Sequence, residues 1–327
     1  MPSASRRRAL TYGGAAAGAI LFYYAVERAG AGEIVGGVRR VGWGLLAVLA
    51  LAGLRFIVRA ECWRSCLPPG TQLPLRRALA AFLAGDAVGN VTPLGLLASE
   101  PTKVLLTRHH LATRESVSSL AVENLVYAAS VVGMIAVGLV VVMATVPMPR
   151  AWLAIIVAAL VAMAAGPAIV VRAIRGTWDP RRGERPRWRE RLAGVREEVL
   201  RFSGGYPRRL WRVFVLDLVF HALAVLEVFL TLRWLLGDRS PTLVQAIAFE
   251  ALNRGVTVAF KFVPFRVGVD EALTGALAPI LAVNPAAGVA LAVVRKVRNL
   301  FWAAIGLMLI AAHPAEADAA TKATKTV

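Results

Sequence analysis

Arg295, Lys296 and Arg298 stand close together in a stretch that is otherwise apolar, AGVALAVVRKVRNLFWAAIGLMLI. On a helix Arg295, Arg298 and Asn299 share a face. Charges at a bilayer centre cost about 2.5–3.5 kcal/mol each on insertion scales, so those that persist face a cavity or a partner. A guanidinium grips a phosphate through two parallel hydrogen bonds, which makes anion binding the natural chemistry of this face. An internal ion pair with Glu123, Glu227 or Glu271 is the other reading. The two are compatible, because a salt bridge opens when a phosphate arrives. Arg254, Lys261 and Arg266 extend the cationic set to a second polar-interrupted segment.

A different pattern surrounds Asp86 and Asn90, four apart and flanked by Gly85 and Gly89. It suits coordination of a substrate or ion by a discontinuous helix, or local capping of unwound backbone. Glu100 and Glu271 each follow a proline by seven residues, Pro93 and Pro264, and are placed to charge-stabilise a helix N-terminus or to exchange partners. Glu123 and Glu227 are further carboxylates in apolar surroundings. Asp217 and His221, one turn apart, read as residues of the inner interface. Cys62 and Cys66 share a helical face without the ligands a zinc site needs, and read as small buried residues. His109 and His110 read as solvated. With no HExxH, GxSxG or Walker motif in the chain, no catalytic residue, metal or cofactor is assigned.

The elements that must position these groups follow from composition. Of 327 residues, 57% are hydrophobic and 18% charged, and the apolar residues come in long blocks. That excludes an ordinary soluble enzyme and predicts an all-α polytopic membrane protein. The net charge of +18 could suggest nucleic acid. The arginines, however, lie between apolar blocks, as in cytoplasmic loops facing anionic lipid, and no nucleic-acid partner is expected. Spans are predicted at 9–26, 41–58, 117–145, 152–172, 213–236 and 285–312, six in all. Arg6, Arg7 and Arg8 set the N-terminus inside. The loop 172–212, with thirteen arginines against five acids, then also falls inside. A surface helix is expected from Trp188 to Phe202, and a disordered tail over 313–327. Trp43, Trp63, Trp152 and Trp211 read as interfacial anchors at span ends. Residues 1–312 form one transmembrane domain, both termini are cytoplasmic, and the expected location is a bacterial inner membrane.

Two apolar regions, 78–98 and 246–283, are broken by Gly, Asn, Asp and Pro. Unwound backbone at membrane depth is tolerated only where protein or a water-filled cavity satisfies it. Both are therefore predicted to be re-entrant helical hairpins. They also resemble one another: each carries Pro-x6-Glu, with Gly95 and Gly268 nearby, and each precedes a long span with a polar cluster in its first half. Span parity makes the two copies inverted across the membrane, an arrangement typical of transporters.

The run Gly85-Asp86-Ala-Val-Gly-Asn90-Val-Thr-Pro93 with Glu100-Pro101-Thr-Lys103, and then Pro264-Phe-Arg266-Val-Gly268-Val-Asp-Glu271, resembles the signature of the lysylphosphatidylglycerol synthase transmembrane (flippase-like) family. Glu123 resembles the acid of that family's next helix, and Glu227 with Leu235-Leu236-Gly237 and Glu250 is similar to the hopanoid-locus members. The first motif departs from the family at Pro93-Leu-Gly95, where Gly-Gly is usual, and the second at Phe265-Arg266. The resemblance implies a lipid-translocating domain, here without a segment long enough for the soluble aminoacyltransferase of some members.

The combined expectation is a transporter, not an enzyme. Arg254, Lys261, Arg266, Arg295 and Arg298, with Asp86 and Asn90, would hold an anionic lipid head group. Glu100, Glu123, Glu227 and Glu271 would be charge partners and gates, and Pro93, Pro264 and Gly268 would shape the breaks. A membrane enzyme on a polyprenyl or phospholipid substrate, or a scaffold for lipid-biosynthesis enzymes, is the alternative. The sequence leaves the lipid and the oligomeric state open.

Overall fold

The computed structural model describes residues 31–91, 96–147, 149–175, 205–237, 239–260 and 263–312, and these form helices joined by short loops, with no strand among them. The helices are α1 (Ala31–Val41), α2 (Gly44–Cys66), α3 (Leu75–Val91), α4 (Leu96–Thr107), α5 (Thr113–Thr145), α6 (Arg150–Arg175), α7 (Pro207–Leu236), α8 (Leu243–Ala259), α9 (Val269–Ile280) and α10 (Pro285–Ala311). The expected span 9–26, most of the basic loop, the surface helix 188–202, the tail, Pro93 and Lys261 lie outside the described residues.

Local chemistry sets several helix ends. Thr242 and Gln245 form a reciprocal capping box at the start of α8, at 3.2 and 2.8 Å. Asn284 accepts the Ala286 amide at 2.8 Å, and Pro285 takes the first position of α10, where a missing amide hydrogen costs nothing. Gly268, at φ +82°, precedes α9, and its amide donates to the Glu271 carboxylate at 2.8 Å.

Helices α5 and α7 are long and apolar enough to cross a membrane by length and composition. The helices α2, with 23 residues, and α10, with 27, have the length, but charges interrupt them. Both broken regions are pairs of short helices, α3 with α4 and α8 with α9. Their members have 17 and 12 residues in the first pair and 17 and 12 in the second.

Two halves of the same order emerge, α2 to α5 and α7 to α10. The first helices of the halves, α2 and α7, pack along each other in opposite directions. Gly44 meets Trp234, Arg55 meets Glu227, and the Leu67 carbonyl accepts from Arg209. Two further contacts cross between the halves: α5 lies on α8, and α10 lies on α3. Both crossings are closed by a glycine. A Cβ on Gly138 would stand 2.0 Å from the Cβ of Ala251, and one on Gly306 would stand 2.2 Å from the Leu83 carbonyl oxygen. Leu83 follows the start of α3 by the same interval as Ala251 follows the start of α8. Small residues at such crossings let helix backbones approach closely where lipid provides no hydrophobic drive. The main core, around Val48, Leu232, Phe249 and Leu291, joins α2, α7, α8 and α10.

Candidate functional site

Helices α2, α3, α4, α5, α7, α8 and α10, with the short 3-10 turn Pro264–Arg266, surround a cavity of about 270 Å³. Its wall includes Arg55, Arg59, Lys103, Arg254, Arg266 and Arg298 as cations, and Asp86 and Glu100 as acids. Behind that wall stand carboxylates that do not line it. Glu227 is shared by Arg55, at 3.0 Å, and by Arg298 in direct contact. Glu250 is shared by Arg254, whose Nε is 2.7 Å away, and by Arg295 at 3.4 Å. Glu123 holds Arg59 at 2.7 Å, and Asp217 approaches the same guanidinium at 3.9 Å. All four acids are 1–2% exposed. A lone charge so deeply buried costs several kcal/mol, which is why each acid has a cationic neighbour.

Aromatic rings organise the cations. The Arg55, Arg254 and Arg59 guanidiniums lie 4.7, 5.0 and 6.0 Å from the centre of the Phe220 ring. Arg59 also lies 3.6 Å over Tyr127, whose hydroxyl accepts from Arg254 at 3.1 Å. The break between α8 and α9 is held in sparsely populated backbone: Phe265 and Arg266 have φ of +48° and +50°. Such geometry persists only where the surroundings fix it. Here Lys296 donates to the Phe265 carbonyl at 2.5 Å and lies 3.4 Å from both Asp270 and Glu271, while Arg266 pairs with Asp270 at 3.2 Å.

The structure brings Asp86, Asn90, Glu100, Arg254, Arg266 and Arg298 to this one cavity. Asn90 donates to the Asp86 carboxylate at 2.9 Å, and Glu100 pairs with Lys103 at 2.8 Å within α4. Arg295 stands elsewhere. It is buried behind the wall on Glu250 and the Phe249 carbonyl, so its first role is to balance an acid. Glu271 caps α9 through Gly268, as its place after Pro264 predicts. Glu100, by contrast, sits in the second turn of α4.

Asp217 and His221 are buried within the protein, at 1% and 7% exposed, and His221 pairs with Ser130 at 3.1 Å. Two expectations change. Trp63 is no anchor, since its ring is fully buried against Phe82 and its Nε1 donates to Ser119 at 2.9 Å. The second span does not end at 58 as predicted: α2 continues to Cys66 and buries Arg59. Arg55 and Arg59 are thus wall residues that sequence reasoning passed over. Their i, i+4 spacing on one apolar helix was the available signal. Cys62 and Cys66 are buried and unpaired, and Trp43 is exposed, as expected.

A second cleft, of about 510 Å³, lies where α2 ends and α7 begins, among Glu61, Arg64, Arg209, Arg212 and the loop 67–74. It is larger, but its charges are partly exposed and already paired with one another through Glu61. The central cavity is the stronger site because its charges are the buried ones.

Comparison with known families decides the wider identity. The family described as Lysylphosphatidylglycerol synthase TM region matches residues 11–306. The chain belongs to that family. No curated protein and no solved structure matches it. Membership makes this a multi-pass membrane protein, and it places the lysylphosphatidylglycerol synthase transmembrane fold in lipid metabolism or transport. The match takes in both broken helix pairs and every wall residue of the cavity.

Proposed function

We propose that this member of the family binds an anionic lipid head group in the central cavity and moves it between leaflets. One observation carries the reading. Glu227 and Glu250 each serve two cations, so the wall formed by Arg55, Arg254 and Arg298 has positive charge in excess of its partners. A phosphate fills that excess and takes hydrogen bonds from guanidiniums already oriented by the acids behind them. Asp86, Asn90 and Glu100 add polar groups to the lining, and Arg266 a further cation from the strained turn.

The membrane arrangement follows from length. At ~1.5 Å per residue the members of each broken pair reach about 25 and 18 Å, short of a ~30 Å hydrocarbon core. Each pair is therefore a re-entrant hairpin. Helices α2, α5, α6, α7 and α10 are five spans; the sixth expected from the sequence, 9–26, lies outside the described residues. Because α2 and α7 are antiparallel and hold equivalent places, the halves are inverted repeats about an axis in the membrane plane, with the cavity at their interface. The positive-inside rule sets both termini in the cytoplasm of a bacterial inner-membrane protein.

The test is translocation of fluorescent anionic and zwitterionic lipids in liposomes, with dithionite destroying only outer-leaflet label. The unaltered protein is expected to speed loss of anionic label from the inner leaflet. Arg298→Gln leaves Glu227 paired with Arg55, so it is expected to fold and to lose most transfer. Arg295→Gln, away from the wall, should lose less. Full transfer by a folded Arg298→Gln variant would sink the reading. Absence of transfer for every lipid would turn it toward a lipid-modifying enzyme or a scaffold.

A further inference from the structure

The larger cleft, where α2 ends and α7 begins, is not part of the central cavity. Three guanidiniums, those of Arg64, Arg209 and Arg212, line its volume of about 510 Å³ together with one carboxylate, Glu61. Glu61 is in direct contact with both Arg64 and Arg212. Arg209 instead donates to the Leu67 carbonyl at 2.8 Å, and among the described residues no acid bridges it. The lining therefore carries two positive charges in excess. The stretch leading into α7 adds to that excess, since 172–212 holds thirteen arginines against five acids.

Local energetics do not account for this cluster. The N-terminus of a helix is its positive end, where acids stabilise and cations oppose the dipole. Helix α7 nevertheless begins with Arg208, Arg209 and Arg212, and it has neither an acid in its first turn nor a side-chain cap. The positive-inside rule explains arginines at a cytoplasmic end, but not three of them gathered round one carboxylate in a cleft. An anion resolves the conflict, because it meets the helix N-terminus and the guanidinium forks together. Thr71 and Gln72 bring neutral hydrogen-bonding groups to the same lining.

We propose that this cleft is a second anion site, separate from the central cavity, and that its ligand is a phosphomonoester. Such a group carries about −1.5 to −2 charge at neutral pH, which matches an excess of two. Depth selects the source. Trp211, next to Arg212 and 65% exposed, stacks on Phe214 at 5.5 Å, as an indole anchored at head-group level does. A lipid with a terminal phosphate reaches the cleft from the cytoplasmic leaflet, whereas a soluble phosphate ester would come from the water. On α2, Arg64 follows Arg59 of the cavity wall by five residues, about 7 Å further toward the helix end. The site does not depend on lipid transfer through the cavity.

Site-specific protection tests this. Thr71→Cys places a thiol in the cleft lining of the full chain, while Cys62 and Cys66 are buried. Alkylation of the new thiol by a neutral maleimide is followed in micelles. Dihexanoyl phosphatidate and glycerol 3-phosphate carry the same phosphomonoester and differ in their acyl chains, and dihexanoyl phosphatidylcholine has the chains without net charge. The rate is expected to fall about tenfold with phosphatidate at about ten times its Kd. Phosphatidylcholine should leave it unchanged, and glycerol 3-phosphate should protect only at far higher concentration. Arg209→Gln with Arg212→Gln removes the excess and leaves Glu61 paired with Arg64, so protection should be lost. Arg298→Gln, in the central cavity, should keep it.

No protection by either phosphomonoester overturns the site and leaves the lipid-transfer reading standing. Protection that survives the loss of Arg209 and Arg212, or that disappears in folded Arg298→Gln, also overturns it. So does equal protection by phosphatidylcholine, which would make acyl chains the cause. Equal protection by both phosphomonoesters at one concentration supports the site and overturns the lipid as its source. Unreactive Cys62 and Cys66 report a folded protein in each variant. If the double variant does not fold, Arg212→Gln alone, at a side chain 61% exposed, removes one charge of the excess. Unchanged protection in that variant overturns the proposal too.

Discussion

The half α2 to α5 and the half α7 to α10 share helix order, the lengths of their broken pairs and a glycine at each crossing, yet they carry opposite charges at equivalent places. Arg59 precedes the start of α3 by the same interval as Glu227 precedes the start of α8. Arg59 is bridged to Glu123 on α5, the last helix of its half, whereas Glu227 is bridged to Arg298 on α10, the last of the other. Glu123 in turn stands as far into α5 as Arg295 stands into α10. The backbone arrangement asks for small residues and matching lengths, while each buried bridge asks only for one cation and one acid. Which helix supplies which was open, and the outcome surrounds one cavity with guanidiniums.

The halves differ in packing as well. In the first, the members of the broken pair are pressed together: a Cβ on Gly85 would lie 2.9 Å from the Lys103 side chain. In the second, α9 is drawn onto α10 instead, where Gly288 sits under the Thr274 carbonyl and a Cβ would be 2.7 Å away. The α8–α9 break holds Phe265 and Arg266 in strained backbone, and it puts Arg266 on the cavity.

The charge difference gives the largest expected effect. Glu227→Gln strands both Arg55 and Arg298 and should cost about 3–5 kcal/mol, as removal of one partner of a buried pair does. Glu123→Gln leaves Arg59 beside Asp217 and should cost about 1–3 kcal/mol. Unfolding in mixed micelles measures both, and equal losses would mean that the halves are electrostatically alike. Next come the crossings. Gly138→Ala and Gly306→Ala should each destabilise by about 1–3 kcal/mol through overpacking. A large loss at one glycine and none at the other would break the equivalence of α5 on α8 with α10 on α3. The smallest effect concerns Trp63, whose burial has no counterpart in the second half. Trp63→Phe should lose only its hydrogen bond to Ser119, about 0.5–1.5 kcal/mol, with transfer intact. A transfer defect there would connect the α2–α5 packing to the cavity.

Much of this was legible before the structure. The long helices match the predicted blocks 117–145, 152–172, 213–236 and 285–312 closely, because a run of apolar residues in lipid has few other ways to satisfy its backbone. The expected interrupters Gly85, Asp86, Gly89 and Asn90, however, lie within the continuous helix α3, and Asn253 and Gly255 within α8, because packing in the bundle overrides their weak helix propensity. Among the described residues, only the second break, at Pro264 and Gly268, falls on expected residues. The capping role of Glu271 followed from its place after Pro264. Six of the seven expected binding residues are in the described structure, and five of them line the cavity; Arg295 does not. Arg59 was misplaced because charge ends a hydropathy block, although helix α2 runs on through it.

The sequence alone determined what depends on neighbours along the chain: helix, break, cap, membrane class and family. Pairing was decided by the tertiary structure. Nothing local distinguishes Glu227 serving two arginines from Arg59 serving two acids, because Coulomb energies depend on distances between helices far apart in sequence. Those distances are set by which small residues let the helices close.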